Sequence, residues 1–279
     1  MEKMTFIVNK TDKIANILCE KGFSYKNVNK LLRQKDVRVD EIKIKENIVV
    51  TKGCQIAVFY DKTMLCEKEL PIVFQDENIC IVNKPSGIEI EGESSLAEKL
   101  NMLPVHRLDR NTTGLVIFAK NKLSQDALIK AFAEHKVKKK YIAEVVGKTD
   151  YKNFTFKAYL LKDSTNSIVK IYPQFVKGSQ EIITIFNTLK SSATSSLVEA
   201  ELVTGKTHQI RASLAYLGHP IIGDGKYGKN EDNKKFKETK QRLHSYYIKF
   251  NDLSSPLEYL SQKEFTCPPS FVSKTDKTT

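Results

Sequence analysis

The chain lacks the features that would assign it to several large classes of protein. None of its apolar runs approaches the about 18 residues that a membrane span requires, and residues 1–13 lack the hydrophobic region of a signal peptide. Its five cysteines are odd in number and include no C-x-x-C pair, so neither a disulfide framework nor a zinc site is indicated. We therefore expect a soluble, cytoplasmic protein with no membrane partner.

Cofactor motifs are missing as well. The sequence has no dinucleotide-binding glycine fingerprint, no P-loop and no His/Cys cluster at the spacing of metal ligands. It also has no G-x-S-x-G elbow, which would carry the nucleophile of a serine hydrolase. We expect a protein that uses no cofactor and no metal.

Positive charge is in excess and unevenly distributed. The 45 Lys and Arg residues outnumber the 33 Asp and Glu residues, for a net charge of +12. Residues 21–35 carry five cations and no carboxylate, while Val28, Leu31 and Leu32 recur at helical spacing. Because such a surface attracts polyanions and releases their counterions, the charge indicates a nucleic-acid partner.

The most informative segment is residues 106–120, which read H-R-L-D-R-N-T-T-G-L-V-I-F-A-K. Its apolar end predicts a buried strand, and the N-T-T-G before it predicts a tight turn. Asp109 should therefore lie at the rim of a sheet, between Arg107 and Arg110, whose cations would stabilise its negative charge. Taken alone, this pattern is more typical of an Asx-type turn than of an active site.

Four other segments change that interpretation. Residues 76–88 read D-E-N-I-C-I-V-N-K-P-S-G-I, residues 139–143 K-K-Y-I-A, residues 202–211 L-V-T-G-K-T-H-Q-I-R, and residues 217–224 L-G-H-P-I-I-G-D. Together with residues 106–120, and in their order along the chain, these four segments resemble the RluA-type pseudouridine synthases, enzymes that isomerise uridine within RNA.

The resemblance implies roles for five residues. It makes Asp109 the essential carboxylate, acting as a nucleophile or by promoting elimination at the sugar, with Arg211 as its partner. Tyr141 would stack on the target base. Arg107 would fill the space that the target uridine leaves in the RNA stack when it moves into the pocket. Lys84 would shape the pocket or contact RNA phosphate.

The N-terminal part of the chain is similar to a second family. Residues 5–59 resemble the small S4-like RNA-binding domain, named for a ribosomal protein, in which two helices at residues 13–21 and 25–34 precede strands around residues 37–39 and 56–58. This resemblance implies that four cations face RNA phosphate: Lys26, Lys30, Arg33 and Lys35. The sequence departs from the commoner pattern at Asp40 and Glu41, where an asparagine-glycine turn is frequent.

We predict three parts of the chain: an S4-like domain at residues 1–62, a pseudouridine synthase catalytic domain at residues 70–260, and a flexible tail at residues 261–279. The predicted fold class is α+β, with a mixed, mainly antiparallel sheet flanked by helices and a small N-terminal α/β domain. Residues 226–241, which are mostly charged and polar, should form a mobile surface segment.

The expected function is isomerisation of specific uridines to pseudouridine in structured RNA by a monomer, with large-subunit ribosomal RNA as the substrate. Transfer RNA is an alternative substrate. Two other functions remain open: an RNA-binding or ribosome-assembly factor of the same fold that has lost catalysis, and a hydrolase built on Asp109 with His106 or His208.

Overall fold

The computed structural model describes residues 1–61, 64, 70–93, 95–163 and 168–272. The chain divides into two compact units, Met1–Glu69 and Leu70–Thr279. Most of the segment between the two predicted domains, residues 63–69, and the end of the predicted tail, residues 273–279, lie outside the described residues.

The N-terminal unit combines two helices with short strands. Its described strands are β1 (Glu2–Ile7), β2 (Asp12–Lys13), β3 (Val37–Val39), β4 (Ile42–Ile44), β5 (Val49–Val50) and β6 (Gln55–Tyr60), and its helices are α1 (Ile14–Glu20) and α2 (Tyr25–Gln34). The main sheet has the antiparallel order β1-β6-β3-β4. Helix α2 begins after Ser24, whose hydroxyl accepts a hydrogen bond from the Asn27 amide at 3.1 Å.

The turn between β3 and β4 shows how the departure from the usual turn sequence is accommodated. Asp40 and Glu41 both adopt positive φ angles, 46° and 69°. Glycine is favoured in this left-handed region because it has no Cβ atom, and asparagine is favoured because its short side chain is tolerated there. The Asp40 carboxylate compensates by accepting a hydrogen bond from the Gln55 amide at 2.8 Å, so the hairpin forms without asparagine-glycine.

The second unit is built on one large sheet. Its strands are β7 (Ile72–Gln75), β8 (Ile79–Lys84), β9 (Leu103–Pro104), β10 (Thr113–Ala119), β11 (Val137–Val146), β12 (Phe154–Asp163), β13 (Ile168–Tyr172), β14 (Gln180–Ser191), β15 (Ser195–Leu202), β16 (Leu243–Phe250) and β17 (Glu264–Thr266). The helices are α3 (Leu96–Leu100), α4 (Lys122–Ala133), α5 (Gln209–Tyr216) and α6 (Asn230–Lys235), with a 3-10 helix at Glu258–Leu260.

The strand order is β13-β12-β14-β15-β11-β16-β10-β8-β7, with β9 paired to β10 and β17 paired to β16. Strands β10 and β16 are parallel, whereas the other pairs in this sheet are antiparallel. This mixed, mainly antiparallel sheet flanked by helices confirms the predicted fold class.

The central strands are buried on both faces, which explains their continuous apolar runs. In β8, Ile79 and Ile81 pack in the apolar cluster that includes side chains of α4, whereas Cys80 and Val82 pack in the cluster that includes Leu214 of α5. The long runs in β8 and β10 therefore form the middle layer of the unit. The loops at the ends of these strands are held by a rigid support.

Gly114, at the start of β10, is required by a close approach of two strands. Its φ is 108°, and a Cβ atom there would lie 2.2 Å from the carbonyl oxygen of Ser245 in β16. No other residue type fits this parallel crossing without moving the backbone. The glycine of the T-T-G turn thus brings the Asp109 loop against β16.

Two predicted surface segments contain structure that the sequence analysis missed. Residues 264–266, placed in the flexible tail, form β17, because the Phe265 ring packs 5.0 Å from that of Phe74 and 5.9 Å from that of Phe250. Within residues 226–241, residues 230–235 form the exposed helix α6, and Gln241 is buried. Both elements are too short to give a periodic pattern.

Among the described residues, no helix is long and apolar enough to cross a membrane. The same residues contain no group of three or more His, Cys, Asp or Glu side chains that could hold a metal ion.

Candidate active site

The loop that carries Asp109 connects β9 to β10 and is anchored from below by Lys84. All three donors of the Lys84 ammonium bond backbone carbonyl oxygens: those of Pro85 at 3.0 Å, Arg110 at 2.9 Å and Thr112 at 2.9 Å. The Asp109 carbonyl oxygen accepts a further bond from the Thr112 amide at 3.0 Å. The loop is therefore fixed on both sides of Asp109.

Lys84 is fully buried, and burial lowers its pKa to about 8 despite the opposing charges of Glu89 and Asp109. The side chain holds the loop through its bonds to carbonyl groups, and the predicted role of shaping the pocket stays a prediction. The predicted contact with RNA phosphate is wrong, because the ammonium is inaccessible and has used its donors.

Replacement of Lys84 tests the importance of this anchor. We expect Lys84→Met to lower the free energy of unfolding by about 3 kcal/mol, because three buried carbonyl groups lose their donor. Chemical denaturation of both proteins measures the difference. Lys99→Met, at an exposed position of α3, is the control and should change it by less than about 0.5 kcal/mol; equal effects of the two substitutions would contradict the anchor.

The structure brings Asp109 and Arg211 together across 102 positions of sequence. Arg211 lies on α5, and its Nη1 donates to Asp109 Oδ2 at 2.8 Å. Its Nε and Nη2 donate to the two carboxylate oxygens of Asp224, at 2.7 and 2.9 Å. The guanidinium thus spans two carboxylates, and the planar fork of arginine suits this geometry.

Asp224 is the support of this pair. It is fully buried, and its Oδ1 also accepts the amides of Lys226 at 2.9 Å and Tyr227 at 3.1 Å. Burial alone would lower the pKa of Arg211, but its bonds to Asp224 and Asp109 raise that pKa above its ordinary value. The bonds from Arg211 likewise keep the pKa of Asp224 below its usual range against the effect of burial.

His208 faces the carboxylate of Asp109 from another side. Tyr227 Oη accepts a bond from the Val169 amide at 2.8 Å, which leaves its own proton for His208 Nδ1 at 2.9 Å. When the hydroxyl donates this bond, the imidazole proton lies on Nε2, 3.8 Å from Asp109 Oδ2. Burial lowers the pKa of His208 below its ordinary value against the opposing charge of Asp109, which favours the neutral form of the ring.

His106 has a structural position. Its Nε2 accepts the amide of Ile117 in β10 at 2.9 Å, and its ring packs 4.8 Å from that of Phe132. Burial, with a smaller effect of the Lys139 charge, lowers the pKa of His106 well below its ordinary value. A neutral histidine bonded to a strand amide offers no base to a hydrolase, which removes support from that alternative.

Asp109 lies where two cavities meet. The smaller, of about 110 Å³, is lined by Tyr141 and by apolar side chains that include Leu108, Leu202 and Leu243. The larger, of about 520 Å³, is an open cleft lined by several cations. The residues that border both are Arg107, Asp109, Thr207, His208 and Arg211.

Tyr141 and Arg107 occupy different depths of this region. Tyr141, on β11, is 5 % exposed, and burial raises the pKa of its phenol well above the ordinary value. The ring is therefore neutral and presents an aromatic surface to the small cavity. Arg107 is exposed at the mouth, next to Asp109. Both positions are compatible with the predicted roles, which stay predictions.

The four predicted RNA-facing cations belong to the N-terminal unit. On α2, the exposed side chains of Lys26, Lys30 and Arg33 recur at helical spacing opposite the buried face, and exposed Lys35 follows at the end of the helix. None of the four forms an ion pair with another part of the described chain. They form a continuous basic surface, which we call the α2 basic face.

Asp224 and Tyr227 have roles that were not predicted from the sequence. Asp224 ends one of the segments that resemble the family, but an aspartate after a glycine usually marks only a turn. The available signal was the apolar pair Ile221-Ile222 directly before Gly223-Asp224, which indicates a turn inside the core. Glycine is required at position 223 of this turn, because a Cβ atom there would lie 2.0 Å from the Lys240 carbonyl oxygen.

The chain is similar to known pseudouridine synthases. Residues 78–216 match the family described as RNA pseudouridylate synthase. The chain is 35% identical over 228 residues to the ribosomal large subunit pseudouridine synthase C of Vibrio cholerae, covering 72% of this chain and 71% of that protein. The synthase of the same name from Pasteurella multocida is 32% identical and aligns with 82% of this chain and 79% of its own.

Among solved structures, the human RNA pseudouridylate synthase domain containing 1 has the same fold, with a TM-score of 0.63 at 24% sequence identity. The match covers 74% of this chain and 85% of the human chain. The identity and coverage of the bacterial relatives are sufficient to assign the chain to one family. The chain belongs to the RluA family of RNA pseudouridine synthases, isomerases that convert uridine to pseudouridine.

Proposed function

We propose that this protein isomerises specific uridines in large-subunit ribosomal RNA, with Asp109 as the carboxylate that performs the bond chemistry. One observation carries the proposal: a carboxylate clamped by Arg211 lies where a small cavity lined by Tyr141 opens into a wide basic cleft. The small cavity suits a single flipped base, and the cleft suits the RNA backbone from which that base comes.

Each group can contribute to one part of the reaction. Conversion of uridine breaks the bond between the sugar C1′ and the base N1 and rejoins C1′ to the ring carbon C5, without redox change. Asp109 acts at the sugar, either as a nucleophile at C1′ or by promoting elimination. Arg211 fixes the carboxylate and keeps one of its oxygens, Oδ1, available for this work. Tyr141 supports the ring while it turns.

Arg107 serves the step before chemistry. A uridine in folded RNA must leave its stack, which costs a few kcal/mol. An exposed guanidinium next to Asp109 has the planar shape and the reach to occupy the vacancy. In this proposal the other cations of the cleft, including Arg110 and Lys162, hold the phosphates on either side.

The choice of ribosomal RNA rests on the relatives. Both bacterial synthases described above are named for the ribosomal large subunit. The N-terminal unit supports a large, structured substrate, because the α2 basic face adds phosphate contacts that a short RNA would not need. We propose that this unit, residues 1–62, is an S4-like RNA-binding domain.

A tritium-release assay tests the function. The hydrogen on C5 leaves the ring during isomerisation, so RNA labelled at C5 of uridine releases tritium to water. We expect release from transcripts of large-subunit ribosomal RNA and none from small-subunit or transfer RNA. Tritium release from transfer RNA alone would show that transfer RNA, and not ribosomal RNA, is the substrate. Tight binding with no release from any RNA would instead indicate the inactive assembly factor.

The α2 basic face makes a separate prediction. Replacing Lys26, Lys30, Arg33 and Lys35 by alanine should lower the affinity for large-subunit RNA and flatten its dependence on salt. The slope of log affinity against log salt should fall by about 0.7 to 0.9 for each RNA phosphate that the variant no longer neutralises. Alanine at four exposed lysines elsewhere in the unit, Lys13, Lys43, Lys45 and Lys52, removes the same charge. Equal slopes for the two variants would show that the α2 basic face is not the RNA-binding surface.

A further inference from the structure

Three consecutive lysines on β11 have unequal surroundings. Lys138 and Lys140 lie on one face of the strand, where their ammonium groups pair with Glu201 at 2.8 Å and Glu199 at 3.0 Å. Lys139 lies on the opposite face, the face of Tyr141, because side chains alternate along a strand. The middle lysine therefore enters the small cavity, while its neighbours stay outside the site.

Lys139 has no acceptor in this position. Its ammonium lies 4.9 Å from the centre of the Phe132 ring and packs against Gly205, where a Cβ atom would be 3.5 Å away. Within the described part of the chain, no carboxylate or other hydrogen-bond acceptor is paired with it. Burial lowers its pKa to about 8. An ammonium that lines a cavity and has no acceptor among the described residues is available to a ligand that supplies one.

The charged and titratable groups that line the same cavity are Arg107, Asp109, Lys206, His208 and Arg211. Asp109 is bonded to Arg211 and has His208 beside it, while His106, behind Lys139, is neutral. The sole carboxylate in this lining, among the described residues, is thus bonded to Arg211 and not to Lys139. An acceptor oxygen for Lys139 can therefore be supplied by the substrate.

We propose that Lys139 is a catalytic residue that donates a hydrogen bond to a carbonyl oxygen of the target uracil and stabilises the negative charge of the ring when it separates from the sugar. This proposal rests on the proposed function, since it assigns a further residue to the same reaction.

The chemistry balances without a further reactant. When the bond between C1′ and N1 breaks, its electron pair leaves with the ring, and the negative charge spreads over N1 and the two carbonyl oxygens. The sugar carbon becomes electron-deficient and is stabilised or captured by Asp109. Lys139 keeps its proton and acts as a fixed donor. The positive Lys139 thus faces the negatively charged ring, and the negative Asp109 faces the electron-deficient sugar carbon. Both act in a cavity where electrostatic effects are strong.

The cavity itself favours the ring over a phosphate as the ligand. Its walls near Lys139 are Tyr141, Leu202 and the backbone of Gly205. Its volume of about 110 Å³ is comparable with that of a cavity that holds one benzene ring, about 150 Å³. The cations suited to phosphate line the larger cleft instead.

The test compares Lys139→Met, Lys139→Arg and the adjacent control Lys140→Met. We expect Lys139→Met to lower the single-turnover rate by about 100-fold or more, the usual effect of removing one preorganised donor, while RNA affinity changes less than about three-fold. Arginine should restore part of the rate, and Lys140→Met should behave as wild type. Because methionine has a similar volume and removes a buried charge, the melting temperature should not fall.

Two outcomes would overturn the proposal. If Lys139→Met loses affinity and salt dependence but keeps its single-turnover rate, Lys139 contacts phosphate. If neither rate nor affinity changes, Lys139 contributes to neither binding nor chemistry. In both cases wild-type protein still forms pseudouridine, so the proposed function stands. Its own failure would appear as absence of product from the wild type.

A substrate change identifies the bonded atom. At the modified uridine, sulfur in place of O2 or O4 weakens hydrogen bonding at one position. We expect one of these substitutions to slow wild type by about five-fold or more relative to Lys139→Met, because the interaction is already absent in the variant. Equal effects on both proteins at both positions would contradict a bond between Lys139 and the ring.

Discussion

Asp109→Asn should abolish turnover and leave RNA binding within a few-fold of wild type. Asparagine keeps the shape of the side chain and can accept the bond from Arg211, but it loses the charge that acts at the sugar. We expect the single-turnover rate to fall by at least about 10⁴-fold, as when a nucleophile is removed from other enzymes. Affinity should persist because it comes mainly from phosphate contacts.

Single-turnover assays and filter binding on the same preparation measure the two effects. Asp126→Asn is a matched control, since Asp126 lies on α4 and pairs with Lys122 on the surface. Near-normal product formation by Asp109→Asn would show that another group performs the chemistry.

Arg211→Lys should cost far more activity than an exchange of one cation for another suggests. Arg211 makes three bonds to two carboxylates, and a lysine ammonium cannot span both. Asp109 would lose its fixed orientation, or the fully buried Asp224 would lose its counterion. We expect a fall of about 100-fold or more in the single-turnover rate.

The same exchange at Arg242 is the control for this variant. Arg242 also bonds two carboxylates, those of Glu144 and Glu238, but it lies outside both cavities. Arg242→Lys should keep most of the activity. If Arg211→Lys keeps it too, the arginine-carboxylate clamp is not needed for the reaction.

The sequence predicted most elements of the fold where the pattern is local. Helix α2 begins and ends where predicted, at residues 25 and 34, because Ser24 provides a cap and the apolar residues recur at helical spacing. Strand β10 was also recognised, from its apolar run. In contrast, β17 is held by the ring of Phe74, which lies far away in sequence, together with that of Phe250.

The candidate site, too, could be predicted from the sequence only in part. The family resemblance predicted Asp109 and Arg211 as partners, and the structure pairs them at 2.8 Å. It did not reveal that Lys84 is buried under the loop, because a lysine before proline looks like a surface residue until the turn closes over it. Nor could a run of three lysines show that the strand directs only Lys139 inward.

Pseudouridine mapping of total RNA tests the central claim most directly. Cells without the gene would be compared with the same cells that carry either the wild-type gene or Asp109→Asn. We predict that one or more pseudouridines in large-subunit ribosomal RNA disappear on deletion, return with the wild-type gene and stay absent with Asp109→Asn. Unchanged maps in all strains, or restoration by Asp109→Asn, would contradict the account.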